Sequence, residues 1–212
     1  MLADFVAENT ELQVEFNLST ENVSLVDEGY DLAIRVGHLE DSSLIARRLA
    51  NIEFCVLASK EYIKQNGSPK HIEELDKHNC LVCSSHGPQV GAVWQFAGNQ
   101  PGLIRERKVK GNWSCNNCYA LISAARKGLG VIWLPNVLVA TDVAAGSLVT
   151  LLDQVRLPST IWAVYPERKH IPAKVSKFVD YLHEAFNPVP PWQSGNENFL
   201  HVPQEGQKSY PS

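Results

Sequence analysis

The apolar and polar positions of this chain change period along its length, and each period predicts a different element. Leu2, Phe5 and Val6 mark one face of a short helix. Residues 12–18 then carry an apolar side chain at every second position, which is the period of a half-buried strand. The chain therefore begins with a helix followed by a strand.

A second helix and strand are predicted to follow. Ser19 or Thr20 can cap a helix, and Gly29 is suited to end it because glycine tolerates the left-handed turn. The continuous apolar run 32–34 predicts a buried strand of a parallel sheet. The order helix–strand–helix–strand is typical of an open α/β sheet. The same units recur along the chain up to a last helix, which begins near Pro172.

The order of these units predicts two lobes. Residues 1–58 and 158–187 form the first lobe and residues 59–157 the second, because a strand at 161–165 and the last helix return to the first group. The chain crosses between the lobes twice, which leaves a cleft suited to a ligand. Residues 188–212 are a Pro-rich and polar C-terminal tail, whose composition predicts disorder.

Charge and composition narrow the function. The formal net charge is -4, whereas a surface that holds nucleic acid should be basic. No run approaches the ~20 apolar residues of a membrane span, and the N-terminus is not of the secretory signal type. Five cysteines are an odd and sparse set, which favours a reducing cytoplasm over a disulfide scaffold.

Catalytic motifs are not found in the sequence. It contains no nucleophile elbow, no Walker loop and no His-Glu-x-x-His. Gly128-Leu129-Gly130 follows a helix and precedes a strand, the reverse of a dinucleotide-binding turn. No histidine pairs with a nucleophile, so we predict neither a reaction nor a cofactor.

The cysteines leave two alternatives open. Cys80 and Cys83, with Cys115 and Cys118, have the paired spacing of structural zinc sites. One argument against zinc is the distance between the pairs along the chain. The segment that separates them, residues 84–114, is longer than the ~15–20 residues usual between such pairs. Side chains at i and i+3 of a strand also point to opposite faces. A redox pair of Cys115 and Cys118 is the other alternative, because a helix N-terminus lowers the pKa of a thiol. We assign no metal.

Two predicted helix starts carry short polar side chains. Asn116 and Asn117 open one helix, and Ser19 and Thr20 open another. Such residues cap free N–H groups, and a helix start that faces a cleft also favours an anion. Ordinary capping without a ligand is the alternative. Together the two starts would suit a small polar or carboxylate-bearing molecule.

Several motifs now resemble one family, the effector-binding domains of LysR-type transcriptional regulators. The resemblance covers roughly residues 1–187. Its motifs, in the expected order, are 30–37 (YDLAIRVG), 41–49 (DSSLIARRL), 78–81 (HNCL), Asn116-Asn117, 128–131 (GLGV), 134–135 (LP), 146–149 (GSLV), 165–166 (YP) and 178–182 (FVDYL).

The resemblance implies an α/β fold of the type 2 periplasmic-binding-protein class, with two Rossmann-like subdomains and an effector site between them. Arg35 would pair with a nearby carboxylate or with an anionic ligand. By position, the effector-binding residues implied are Ser19, Thr20, Val36, Gly37, His38, Ser42, Ser43, Asn116, Asn117 and Trp133.

The implied function is a cytoplasmic effector sensor that is not an enzyme. A small molecule would shift the lobes, and the shift would reach DNA through an N-terminal helix-turn-helix that this sequence does not contain. The family implies a homodimer, or a tetramer at full length, with no membrane contact. A solute-binding protein of a transport system is the alternative, but it would need export.

The sequence departs from the family pattern in two further places. The family's first strand is not found, so we expect apolar surface to be exposed unless a partner chain or the run 199–202 covers it. Cys118 and Tyr119 stand where the family more often has a small or acidic pair, which affects the effector site.

Overall fold

The computed structural model describes residues 2–19, 24–39, 43–84, 92–100, 102–167 and 172–193. Within these ranges the α-helices are α1 Leu2–Glu8, α2 Lys60–Asn66, α3 Cys118–Arg126, α4 Asn136–Ala144 and α5 Ala173–Phe186. The strands there are β1 Ala33–Val36, β2 Leu44–Ala58, β3 Val82–Cys83, β4 Ala92–Ala97, β5 Ile104–Val109, β6 Ser114–Cys115, β7 Ile132–Pro135, β8 Val149–Leu151 and β9 Leu157–Pro166.

Two long antiparallel strands, β2 and β9, form the centre of the fold. Their pairing runs from Leu44 opposite Pro166 to Phe54 opposite Leu157. The other edge of β9 pairs antiparallel with β1. At this end of the molecule the strand order is therefore β1-β9-β2.

The far end of β2 belongs to a second set of strands. Residues Phe54–Leu57 pair with β7, and Val56–Ala58 pair with β8. A parallel bridge between Cys80 and Val131 then connects β7 to β3, which pairs in parallel with β6. The order across this region is β6-β3-β7-β2-β8, so β2 is shared by both sets.

Alternating side chains of β2 cover both faces of the second set. Val56 and Ala58 join one buried cluster, together with the aromatic side chains of β4. Cys55 and Leu57 join another cluster under α3 and α4. This is the period of two expected for a strand buried on both faces.

A separate core lies beneath α5. Val175, Val179, Leu182 and Phe186 follow helical spacing and pack against β2 and β9, which confirms the predicted last helix. Trp192 packs on Phe186 with ring centroids 5.1 Å apart, so residues 188–193 of the predicted tail turn back onto this core. The run 199–202 lies outside the described residues.

Helix α1 is held by aromatic contacts. Phe5 is 4% exposed and lies 4.8 Å from Phe178 and 5.1 Å from Tyr181, measured between ring centroids. The short helix predicted from Leu2 is therefore confirmed, and it covers one side of α5.

The prediction of a strand at residues 12–18 is wrong. These residues have no regular secondary structure, and Phe16 and Leu18 are 63% and 81% exposed. The period of two identifies side chains that a sheet would bury, but a strand also needs a neighbour for its backbone. No described strand pairs with residues 12–18, or with the outer edge of β1.

The buried parallel strand predicted at residues 32–34 is also corrected. The strand is β1, which is antiparallel to β9 and stands at the end of its sheet, with Ile34 44% exposed. Just before it, residues 25–29 form turns in place of the end of a helix, and Gly29 has the predicted positive φ of 75°.

A buried polar group joins α2 to the second set of strands. The Tyr62 hydroxyl accepts from the backbone N–H of Asn79 at 2.9 Å and lies 3.3 Å from His78 Nδ1. With its proton placed toward this nitrogen, Tyr62 donates to a neutral imidazole. Burial lowers the pKa of His78; Glu74 raises the pKa and Lys77 lowers it, both more weakly.

His78 should make the fold less stable in acid. Because its pKa in the folded protein lies below the ordinary value of 6.5, the unfolded chain takes up the proton first as pH falls. The contribution to stability is present above pH 6.5 and is lost below it. His78→Gln keeps an acceptor without a titrating group, so urea unfolding at several pH values should show a weaker dependence on pH for the variant. Equal slopes for both proteins would contradict this assignment.

The exposed run at residues 12–18 gives a second prediction. Phe5→Ala should cost roughly 3–5 kcal/mol of unfolding free energy, because Phe5 is buried against α5. Phe16→Ala should cost less than about 0.5 kcal/mol, because its ring is exposed. Chemical denaturation measures both, and a cost for Phe16→Ala similar to that of Phe5→Ala would show that the run is packed as a strand.

Candidate ligand-binding site

A shallow depression lies where the chain leaves β1. Its volume is about 260 Å³. It contains two predicted site residues, Gly37 and His38. Strand β9 contributes three more side chains with polar atoms, those of Ser159, Thr160 and Trp162. The lining residues are Gly37, His38, Leu39, Pro158, Ser159, Thr160 and Trp162.

Gly37 shapes one side of this depression through its backbone. Its N–H donates to the carbonyl of Thr160 at 3.0 Å, and its carbonyl accepts from the indole N–H of Trp162 at 3.0 Å. The φ angle of Gly37 is +107°, a region that residues with a Cβ rarely adopt. The glycine therefore lets the chain turn away from β1 while both of its backbone groups stay attached to β9.

Trp133, a third predicted site residue, lies in an aromatic cluster. Its ring stacks on Phe54 with centroids 4.4 Å apart and lies 6.3 Å from Trp94 and 6.5 Å from Phe96. The Nε1 atom of Trp133 is buried and has no hydrogen-bond partner among the described residues. A buried N–H without a partner is unfavourable, so this donor is available to a bound acceptor.

The depression and the aromatic cluster lie along the same stretch of β2. Thr160 and Pro158 of the depression are opposite Asn51 and Glu53 of β2, and the next residue, Phe54, stacks on Trp133. Phe54 is three positions along β2 from Asn51, which corresponds to about 10 Å of strand. Both groups therefore lie near Phe54, where the pairing of β2 with β9 ends on one edge and its pairing with β7 begins on the other.

The predicted asparagines are at the start of α3. Asn117 caps the helix, since its Oδ1 accepts from the N–H groups of Tyr119 at 2.9 Å and Ala120 at 3.2 Å. Asn116 is exposed. In the part of the chain that the structure describes, no hydrogen bond joins either asparagine to the depression or to Trp133.

The remaining predicted residues are exposed or undescribed. Val36 is 47% exposed at the end of β1, and Ser19 and Ser43 are exposed. Thr20 and Ser42 lie outside the described residues.

The cysteines do not pair as their spacing suggests. Cys80 is fully buried, and its thiol donates to the carbonyl of Leu75 at 3.7 Å. Cys83 belongs to the cluster on the other face of the sheet, and its sulfur lies 3.4 Å from that of Cys118. The close thiol pair therefore joins β3 to α3, one cysteine from each Cys-x-x-Cys.

Sequence analysis missed the contribution of β9 to the depression. It predicted this strand from residue 161, whereas β9 begins at Leu157. The predicted start leaves Ser159 and Thr160 in the connection before the strand. The only local signal was Pro158, which is compatible with a strand edge but does not show which strand will be its neighbour.

Comparison with known proteins identifies the family. Residues 1–187 match the family described as the LysR substrate binding domain. The chain belongs to the LysR substrate-binding domain family. The resemblance inferred from the sequence motifs is thereby confirmed.

Relatives of this LysR domain are named as transcriptional regulators. DmlR of Escherichia coli K12, an HTH-type transcriptional regulator, is 35% identical over 177 residues, which are 83% of this chain and 56% of the relative. An HTH-type regulator of Haemophilus influenzae is 32% identical over 82% of this chain and 60% of the relative. The chain thus spans little more than half the length of these relatives.

Solved regulatory domains have the same fold. The CrgA regulatory domain of Neisseria meningitidis is 29% identical with a TM-score of 0.72, covering 86% of this chain and 88% of that one. The AphB regulatory domain of Vibrio vulnificus is 29% identical with a TM-score of 0.69, covering 85% and 88%. The predicted α/β fold of the type 2 periplasmic-binding-protein class is confirmed. None of the helices in the described ranges has the length and apolarity that a membrane crossing requires.

Gly37 should be sensitive to any added side chain. Gly37→Ala is expected to cost roughly 1–3 kcal/mol of unfolding free energy, because the φ angle of +107° is strained for alanine even where space is free. The exposed Ser43→Ala is the control and should change stability by less than about 0.5 kcal/mol. Urea denaturation of both variants tests this, and a neutral Gly37→Ala would mean that the turn after β1 relaxes freely.

Proposed function

We propose that this chain is the effector-sensing domain of a LysR-type bacterial transcriptional regulator. A small molecule with a carboxylate or carbonyl group binds between two lobes, residues 1–58 with 158–187 and residues 59–157. Its contacts come from Ser19, Thr20, Val36, Gly37, His38, Ser42, Ser43, Asn116, Asn117 and Trp133, together with Ser159, Thr160 and Trp162.

The unpartnered N–H of Trp133 is the observation that supports this proposal most directly. The group is buried among aromatic rings, where losing a hydrogen bond is most unfavourable. An acceptor on a ligand would satisfy it, while Phe54 and Trp94 would contact the ligand's apolar part. Ser159, which is opposite Ile52 and so on the same face of β2 as Phe54, would add a polar contact.

Ligand binding at this position can change the angle between the lobes. The cores on either side share β2, and bending is placed near Phe54, where the pairing with β9 ends on one edge and that with β7 begins on the other. A ligand that binds one orientation more tightly shifts the population toward it. In the complete regulator this shift would pass to the DNA-binding module.

DNA binding itself is assigned to another part of the regulator. With a net charge of -4, this chain offers no general attraction to phosphate. The relatives are named HTH-type regulators and are longer than this chain, which is consistent with a helix-turn-helix outside it. We further propose a homodimer, tetrameric at full length, that acts in the cytoplasm and catalyses no reaction.

A solute-binding protein of a transport system is less consistent with these observations. It would share the fold, but the relatives compared above are named as transcriptional regulators. We therefore retain the sensor as the proposed function.

Replacing the indole N–H should weaken ligand binding without unfolding the domain. Acetate, succinate, citrate and benzoate would first be screened by thermal shift, and any that stabilises the protein titrated by calorimetry. Trp133→Phe keeps an aromatic ring but removes the donor, so the affinity should fall about tenfold or more, as expected for one hydrogen bond to a charged acceptor. Trp113→Phe, at a 37% exposed position, is the matched control.

Two outcomes would contradict the proposal at different levels. Equal affinity for the Trp133 and Trp113 variants would place the ligand elsewhere in the domain. If no carboxylate stabilises the protein and gentle native mass spectrometry shows no bound organic mass, the effector-sensing function itself would fail.

A further inference from the structure

Two thiols from different elements lie in contact beside α3. Cys83 is opposite Cys115 on the neighbouring parallel strand β6. The chain then turns through Asn116 and Asn117, so that Cys118 becomes the first residue of α3. This turn brings the sulfur of Cys118 to 3.4 Å from the sulfur of Cys83.

The third nearby cysteine is engaged differently. The thiol of Cys115 donates to the carbonyl of Asn117 at 3.2 Å, within the turn that precedes α3. Cys83 and Cys118 are both partly exposed, so small reagents can reach them. The local geometry therefore selects one pair from the three thiols.

The position of Cys118 favours its thiolate form. It is the first residue of a nine-residue helix, where the helix dipole favours negative charge. A hydrogen bond from the Cys83 thiol lowers the pKa of Cys118, burial opposes this effect, and the backbone N–H of Cys118 itself lowers the pKa more weakly. The hydrogen bond between the two thiols raises the pKa of Cys83, and the place of Cys118 at the helix start is the geometric reason to treat it as the thiolate of the pair.

The two other cysteines provide a contrast within the same protein. Cys80 is 0% exposed and burial raises its pKa to about 12, while burial also raises the pKa of the 3% exposed Cys55. Neither has a second thiol in contact among the described residues. These two should behave as inert core residues.

We propose that Cys83 and Cys118 are a redox-active pair that reacts with hydroperoxides and closes an internal disulfide between β3 and the first turn of α3. This modification site goes beyond the proposed effector function and does not depend on it. Its oxidant is a small hydroperoxide, and its reductant is a small thiol.

The chemistry balances in two steps. The Cys118 thiolate attacks the terminal oxygen of the hydroperoxide, the O–O bond breaks, and the alcohol or water leaves after taking up a proton. Cys118 is then a sulfenic acid. The Cys83 thiol attacks that sulfur, the S–O bond breaks and water leaves, so two thiols lose two electrons and one hydroperoxide gains them. A disulfide is about 2.0 Å long, so the sulfurs must approach by roughly 1.4 Å from their 3.4 Å separation.

The first experiment treats the reduced 212-residue chain with hydrogen peroxide under native conditions and then unfolds it in guanidinium chloride with N-ethylmaleimide, so that buried free thiols are also blocked. Intact mass should show three alkylated cysteines in place of five and a loss of two hydrogens. After trypsin, peptides 78–105 and 111–126 should be joined, and fragmentation should place the bond between Cys83 and Cys118.

Single variants separate the roles. Cys118→Ser should abolish the disulfide, whereas Cys115→Ser, its matched control three residues away, should form it at the wild-type rate. Cys83→Ala should stop at the sulfenic acid, which dimedone traps. It should also raise the pH at which Cys118 is half alkylated by iodoacetamide, because the hydrogen bond from Cys83 is lost.

Three results would overturn the proposal. A disulfide between Cys115 and Cys118 would show that Cys83 is not the partner of Cys118. Oxidation of Cys118 no faster than that of Cys80 would show that its position gives no reactivity. A zinc ion retained in native mass spectrometry of the reduced wild-type protein, and lost in both Cys83→Ala and Cys118→Ser, would make these thiols metal ligands.

Discussion

The antiparallel pairing of β2 with β9 is the constraint on which the rest of the structure depends. Leu49 and Ile52 of β2 contribute to the core beneath α5, while Cys55 and Leu57, only a few residues later, contribute to the core beneath α3 and α4. One continuous strand thus carries parts of both cores. The proposed bending between the cores is therefore placed near Phe54, where β9 stops pairing with one edge of β2, β7 starts on the other, and Trp133 stacks.

Local features of the fold could be predicted from the sequence because they are decided within a few residues. Asn117 caps α3, and α5 buries residues at helical spacing, both as predicted. Residues 12–18 show the opposite case. The alternation of apolar and polar side chains belongs to the segment alone, whereas a strand forms only when a second segment pairs with it. No described strand pairs with residues 12–18.

The candidate site divides in the same way. Gly37, His38 and Trp133 were identified through motifs, whereas Ser159 and Thr160 reach the depression only because β9 starts four residues earlier than expected. That start is set by tertiary pairing with β2. Strand pairing also decides which cysteines are in contact. The register between β3 and β6, together with the turn before α3, places Cys118 against Cys83. Sequence spacing alone favours the pairs Cys80 with Cys83 and Cys115 with Cys118.

The start of α3 is where the two proposed inputs meet. Asn116 and Asn117 are proposed effector contacts, and the next residue, Cys118, is the proposed nucleophile. A disulfide to β3 would fix the first turn of the helix, whereas the reduced form leaves it held by the Asn117 cap and by packing. If the effector contacts this turn, its affinity must differ between the two redox forms, and by linkage the effector must change the tendency of the thiols to oxidise by the same factor. An effector held only by Trp133 and the depression beside β9 would leave the two equilibria independent, so the size of this coupling shows how far the binding site extends toward α3.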